Sequence, residues 1–189
     1  MQRLNKLIFG VGLNDSINPT YTIVNGKIKH IPSYSRWHSM IRRCYSEHFH
    51  KSQPTYRGCT VCEEWQSFEG FKLWFNEHYI EGYHLDKDIK SKGNKVYSPD
   101  ACLFVPADLN EMFKPKKAKA NGLPCGVSLP KGRKLYRAQA SVNGVCVTLG
   151  SFKTKKEAIQ ARNLAVNRQT IKKAAKYPQF AKYLINHLL

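Results

Sequence analysis

The sequence predicts an α+β protein in two unequal parts: a mixed N-terminal domain, then a small three-stranded antiparallel sheet packed on a helix. Three observations lead there. Through the first 113 residues, short strand-like runs bounded by turn signals alternate with runs of helical period. A basic stretch without apolar periodicity, KPKKAKANGL, then interrupts them. Beyond it, three strand-like runs precede a capped helix. The predicted domains are therefore 1–113 and 124–189, joined by a basic linker at 114–123. With 189 residues and 42% hydrophobic content, the chain has material for a core rather than for a disordered tail.

Residues 1–32 read as short strands and turns. Asn25-Gly26 lies between TYTIV and KIKHI, a two-residue hairpin signal. A helix is expected after Pro32, with Tyr34, Trp37, Ile41 and Cys44 at steps of three and four. Residues 46–60 read as polar and irregular. A second helix is expected over about 65–79, with Trp65, Phe68, Phe71 and Phe75 along one side as a core stripe. The segment 83–113 reads as strand, long polar turn, strand at Cys102–Val105, then a short helix at Ala107–Phe113. In the C-terminal part, CGVSL, LYRAQASV and VCVTLG read as strands, the last two joined by Asn143-Gly144. Thr154 opens a capping box with Glu157. The following helix carries Ala158, Ala161 and Ala165, small enough to lie close on a sheet. A last helix after Pro178 would present Phe180, Leu184 and Leu188.

The net charge is +18, unevenly spread. Residues 1–112 carry 14 Lys/Arg against 12 Asp/Glu, whereas residues 113–189 carry 17 against the single acid Glu157. The fold does not need such an asymmetry, and self-repulsion opposes it. A polyanionic partner, double-stranded DNA first, accounts for it; a solvated basic surface or an anionic membrane are the competing readings. No apolar run reaches the roughly 18 residues of a membrane span. The start, MQRLNKLIFGVGLND, is too short in its apolar stretch for a secretory signal and lacks a small-residue cleavage site. An intracellular, cytoplasmic location is expected, with the six cysteines reduced and serving as free thiols or metal ligands.

Strand alternation assigns faces in the basic unit. Tyr136, Ala138, Ala140 and Val142 share one side, Arg137, Gln139 and Ser141 the other. On the next strand Val147 and Leu149 should face the helix, Cys146 and Thr148 the open side. The open face is polar and flanked by Lys131, Arg133 and Lys134, a width that enters a major groove. Arginine can fork onto guanine and glutamine onto adenine. The same face is also what a half-buried sheet shows to water. RNA recognition would call for exposed aromatics here, and Tyr136 is expected to point inward.

The motifs YRA-x-x-x-V-N-G, LG-x-F-x-T and EA-x-x-A, within residues 126–165, together resemble the apetala/ethylene-response-factor type DNA-binding domain. The resemblance implies a three-stranded sheet lying in the major groove. By position it makes Ser128, Arg137, Gln139, Ser141 and Thr148 base- or backbone-facing. Several Arg and Trp positions of the plant members are Ser, Thr or Cys here, which weakens the implied sequence preference.

In segment 84–110, His84, Asp86 and Asp88 alternate and so can share one strand face. Asn94 follows in the turn and Asn110 on the helix. Paired carboxylates beside a histidine suit a divalent ion on a phosphodiester, with a base to activate water. On residue types alone, the same acids read as surface groups of a hairpin. The runs GVGLND, WHSMIRRCY, GCTVCEEWQSFEGF, LDKDIKSKGNKVYSPDACLFVP and DLN resemble a family of phage-encoded HNH-like, homing-type endonucleases. Many of those carry the same type of C-terminal domain in the same order. The resemblance implies a hairpin-plus-helix site holding one divalent metal such as Mg²⁺, with Asp86 as the carboxylate beside the general base. It sets Asn94 in the turn and Asn110 at the last motif position. The general-base position itself holds Lys87 in place of histidine. Three outcomes follow: His84 acts as base, Lys87 acts with a lowered pKa, or catalysis is lost and a DNA-binding regulator or antagonist remains.

Cys59-x-x-Cys62 is one zinc-knuckle-like pair, with Cys44 and Cys102 the completing candidates for a structural zinc. Four small buried thiols are the plainer alternative. Cys125 and Cys146 belong to the other domain.

Overall fold

The computed structural model describes residues 7–113 and 122–189. It is mixed α+β and divides into two compact units, Met1–Met112 and Phe113–Leu189. The expected linker falls almost wholly outside the described residues. Its last residue, Leu123, is buried in the core of the second unit, so that unit begins earlier than residue 124.

The first unit opens with a hairpin, β1 (Tyr21–Val24) and β2 (Lys27–His30). Asn25 and Gly26 both take positive φ, 51° and 72°, the backbone that a tight two-residue turn requires. Helix α1 (Pro32–Tyr45) starts on proline, whose missing N–H costs nothing at a helix start. It buries Trp37, Met40, Ile41 and Cys44. The expected irregular stretch is instead ordered as α2 (Glu47–Ser52), capped by the Ser46 hydroxyl, and a 3-10 turn at Pro54–Tyr56. Short amphipathic pieces of this length leave no legible period.

The single helix expected at 65–79 is two, α3 (Glu63–Gln66) and α4 (Phe68–His78). Ser67 between them is extended, and its hydroxyl accepts from the Gly70 amide. The break is used: Leu13 pairs in parallel with Ser67, exchanging bonds with Gln66 and Phe68. The aromatic stripe is core, as expected. Trp65 meets Trp74 at a 4.7 Å centroid distance, and Trp74 stacks on Phe104 at 5.4 Å. The Trp37 indole N–H donates to the Trp65 carbonyl at 2.8 Å, tying α1 to α3.

Strand β3 (Thr60–Val61) pairs in parallel with β5 (Val96–Tyr97), a strand inside the long turn that sequence pattern did not show. Around that turn, β4 (Tyr83–Asp86) pairs antiparallel with β6 (Leu103–Pro106), and α5 (Ala107–Phe113) follows directly. The expected strand–turn–strand–helix order of 83–113 is therefore present. Leu85, Tyr97, Cys102 and Phe104 belong to the same core as Trp37 and Trp65, so α1 and the β4–β6 hairpin rest on one packed interior.

The second unit is the three-stranded antiparallel sheet β7 (Val127–Ser128), β8 (Tyr136–Val142) and β9 (Val145–Phe152), in that order, with α6 (Lys155–Lys176) across it. Asn143 and Gly144 again supply the positive-φ turn. The capping box forms in both directions: the Glu157 amide donates to the Thr154 hydroxyl at 3.2 Å, and the Thr154 amide to the Glu157 carboxylate at 3.0 Å. Val127, Ala138, Ala158 and Leu123 form the core, with Tyr136, Leu149 and Phe152 packed on it. After a 3-10 turn (Pro178–Phe180), α7 (Ala181–Ile185) buries Leu184, while Leu188 lies beyond the helix and exposed. No described helix is long and apolar enough to cross a membrane.

Candidate functional site

Two places carry site residues, one in each unit. In the first, His84 sits on exposed ground in β4 and Asn110 on α5, with 3.3 Å between His84 Nδ1 and the Asn110 amide. Strand and helix are consecutive parts of one hairpin-plus-helix, which brings residues 26 positions apart together. They line a polar pocket of about 130 Å³ together with Leu85 and, from α1, Arg36, Ser39, Met40 and Arg43. The α1 residues recur at steps of three and four, so they form a single stripe on the helix. Among the described residues no carboxylate lines this pocket. Arg43 is further anchored by Tyr97, whose phenol burial pushes well above its usual range, and by the Tyr56 ring, 5.7 Å from its guanidinium.

The other expected catalytic residues do different work. Asp86 is buried, and its Oδ1 accepts from the backbone amides of Asp88 at 2.8 Å and Ile89 at 2.7 Å. Burial raises its pKa, against those amides, which favour the charged form. Lys87 is also buried. Its ammonium is bound to both Asp88 oxygens, at 2.8 and 2.9 Å, and to the Asn94 carbonyl. Asp88 therefore does not share a strand face with His84 and Asp86: it lies past the end of β4 as the counter-ion of Lys87. Asn94 closes the loop, donating to the carbonyls of Lys87 at 3.1 Å and Val96 at 2.6 Å and accepting from the Val96 amide. Asp86, Lys87, Asp88 and Asn94 are thus a staple that fixes the turn, because the buried Asp86 carboxylate and Lys87 ammonium would otherwise lack partners.

Of the four candidate zinc ligands, Cys44, Cys59 and Cys102 share one core, with Cys44 near enough to the other two to feel their charge. Cys44, Cys59 and Cys102 are core residues, and burial pushes the thiols of Cys44 and Cys102 up to about 12. Cys62 is half-exposed at the start of α3. Among the described residues no group of three or more His, Cys, Asp and Glu side chains is placed to share an ion. Three of the thiols pack in the interior with Trp65, Phe68 and Tyr97. For the divalent ion, Asp86 is already engaged through Oδ1 and Asp88 is paired with Lys87. An ion held there would draw most of its ligands from a phosphate and water, as Mg²⁺ commonly does.

In the second unit, register settles the faces. Ser128 pairs with Arg137 and Arg137 with Ser151; Gln139 pairs with Thr148, and Ser141 with Cys146. All lie on the side away from the Ala138 and Ala140 core positions. The Gln139 amide donates to the Thr148 hydroxyl at 3.4 Å across this open face. Lys131, Arg133 and Lys134 are exposed on the loop joining β7 to β8. The structure thus brings Ser128, Arg137, Gln139, Ser141 and Thr148 onto one surface. Val147 shares the helix side with Ala140 but stays exposed at 39%. Opposite Ala138 and Gln139, β9 carries one extra residue, Leu149, a bulge that bends β9 in mid-course.

Sequence reasoning missed Arg36, Ser39 and Arg43. Their signal was present in WHSMIRRCY and the arginine before it: two arginines seven apart fall on the same face of a helix. Comparisons with family models, curated proteins and solved structures return no match for this chain.

Proposed function

We propose that this chain is a DNA-binding protein whose N-terminal unit hydrolyses DNA phosphodiesters in the manner of HNH-like phage endonucleases. The observation that carries the reading is the hairpin-plus-helix that sets His84 against Asn110 beside two arginines. His84 is the general base. As placed, the Asn110 Nδ2 amide faces His84 Nδ1 at 3.3 Å, which sets Nδ1 as acceptor; the base role requires the Asn110 amide in its other orientation, with the carbonyl oxygen accepting from Nδ1–H and Nε2 left with its lone pair. Lys87 is not the base, since its ammonium is committed to Asp88 and the Asn94 carbonyl. A divalent ion, where bound, would be held by Asp86 with phosphate and water oxygens and would neutralise charge on the phosphate. The open sheet face of the second unit, with its excess of cations, holds the duplex through phosphates, and Arg137 and Gln139 contact base edges.

The test is cleavage of supercoiled plasmid and of host or phage DNA with Mg²⁺ or Mn²⁺. Nicking is expected from the wild type and is expected to fall by about 10²-fold or more in His84→Ala. No cleavage with DNA binding intact would favour a second reading, a binding-only regulator or antagonist. One feature specifically favours that alternative: the Asp86 carboxylate is turned onto the loop amides.

A further inference from the structure

The pocket beside His84 has a property that general DNA binding does not require. Arg36 lines it, and the Arg36 Nε atom is buried without a hydrogen-bond partner. A guanidinium nitrogen taken out of water with no acceptor is unfavourable, and such groups are rare in folded proteins. Ser39 and Arg43 line the same space from the same stripe of α1, and none of the described residues that line it is a carboxylate. The wall opposite is His84 and Asn110. A tetrahedral oxyanion satisfies this combination: it accepts from forked guanidinium donors and from a hydroxyl at once. Arg43 is fixed from behind by Tyr97 and Tyr56, which limits its swing and leaves it preorganised.

We propose that this pocket is a phosphate subsite in which Arg36, with Ser39 and Arg43, grips one backbone phosphate of the bound nucleic acid next to His84. Arg36 is its principal positioning residue. The inference rests on the DNA reading above and deepens it by naming the group that fixes the substrate.

The experiment uses the full chain and follows the Arg36 Nε–H signal by NMR during titration with inorganic phosphate, then with a short DNA duplex. A saturable shift with both probes is expected. Arg36→Ala is expected to weaken phosphate binding, followed at the Asn110 side-chain amide, by roughly ten- to a hundredfold. Arg36→Lys, which keeps the charge without the fork, should recover part of it. Both variants must retain the wild-type amide fingerprint, so that lost binding is not lost folding. Duplex bound elsewhere on the protein, with Arg36 unmoved by either probe, overturns the subsite and leaves the DNA reading standing. A shift with phosphate and no duplex binding at low salt overturns the DNA reading and keeps an anion pocket.

Discussion

At the residue scale, the decisive contrast is between His84 and Lys87, three positions apart and in opposite circumstances. His84 is exposed and faces a pocket; Lys87 is buried and held by three oxygens. Removing the ammonium leaves Asp88 and the Asn94 carbonyl short of a donor, which costs about 2–3 kcal/mol. Lys87→Ala is therefore expected to lower the melting temperature clearly, whereas His84→Ala leaves it within about 0.5 kcal/mol of wild type. Equal melting of the two variants would contradict these roles. Asp15 gives a pH-dependent case. Burial opposes its ionisation, but the Ser67 hydroxyl at 2.6 Å and the backbone amides of Glu69 and Phe68 outweigh it and hold its pKa below 3.8. Its stabilisation is full above pH 3.8 and is lost as pH falls through the lower, folded-state value. Asp15→Asn should be less stable at neutral pH, by about 1 kcal/mol, and converge with wild type in strong acid. A constant gap across an acid titration would exclude that role.

At the element scale, the joints between strands decide more than the strands do. Gly126 has φ +88°, and a Cβ there would collide with the Gln139 carbonyl oxygen. Its own carbonyl accepts from the Gln139 amide at 2.7 Å, so this glycine is the joint of β7 and β8. Gly126→Ala should destabilise the second unit by roughly 3 kcal/mol, from positive φ and overlap together, as read by denaturant unfolding. A change below about 0.5 kcal/mol would contradict the joint. These elements also show what sequence makes legible. Asn-Gly turns, the Thr154 box and the alternation of β8 are local signals, and each gave its element. The break at Ser67 was hidden because the aromatic stripe runs on across it: Leu13, far away in sequence, decides it. Strand β5 was hidden because its partner, β3, lies some 36 residues earlier in sequence and each strand has two residues. His84 and Asn110 were readable from the hairpin-plus-helix order. The loop staple was not, because carboxylates and lysine in a motif look alike whether they bind substrate or each other. The arginines of α1 were hidden behind a core stripe that explained the helix without them.

At the scale of the whole molecule, charge is the organising fact. The single acid in residues 113–189, Glu157, is used within a capping box, so the 17 basic side chains of this stretch have little internal compensation. The open face of the β7–β8–β9 sheet and the exposed Lys131, Arg133 and Lys134 give that charge a surface. Residues 1–112 are near neutrality by contrast, and two of their cations, Arg36 and Arg43, line the polar pocket beside His84. On the proposed reading, one unit supplies affinity and the other position. The most direct measurement is the salt dependence of duplex DNA binding by the full chain, wild type against a Lys131→Gln, Arg133→Gln, Lys134→Gln variant. A steep linear fall of log affinity with log salt is expected, flattened in the variant by about one unit for each phosphate contact removed. No duplex binding at low salt, or a slope that the triple variant leaves unchanged, would contradict it.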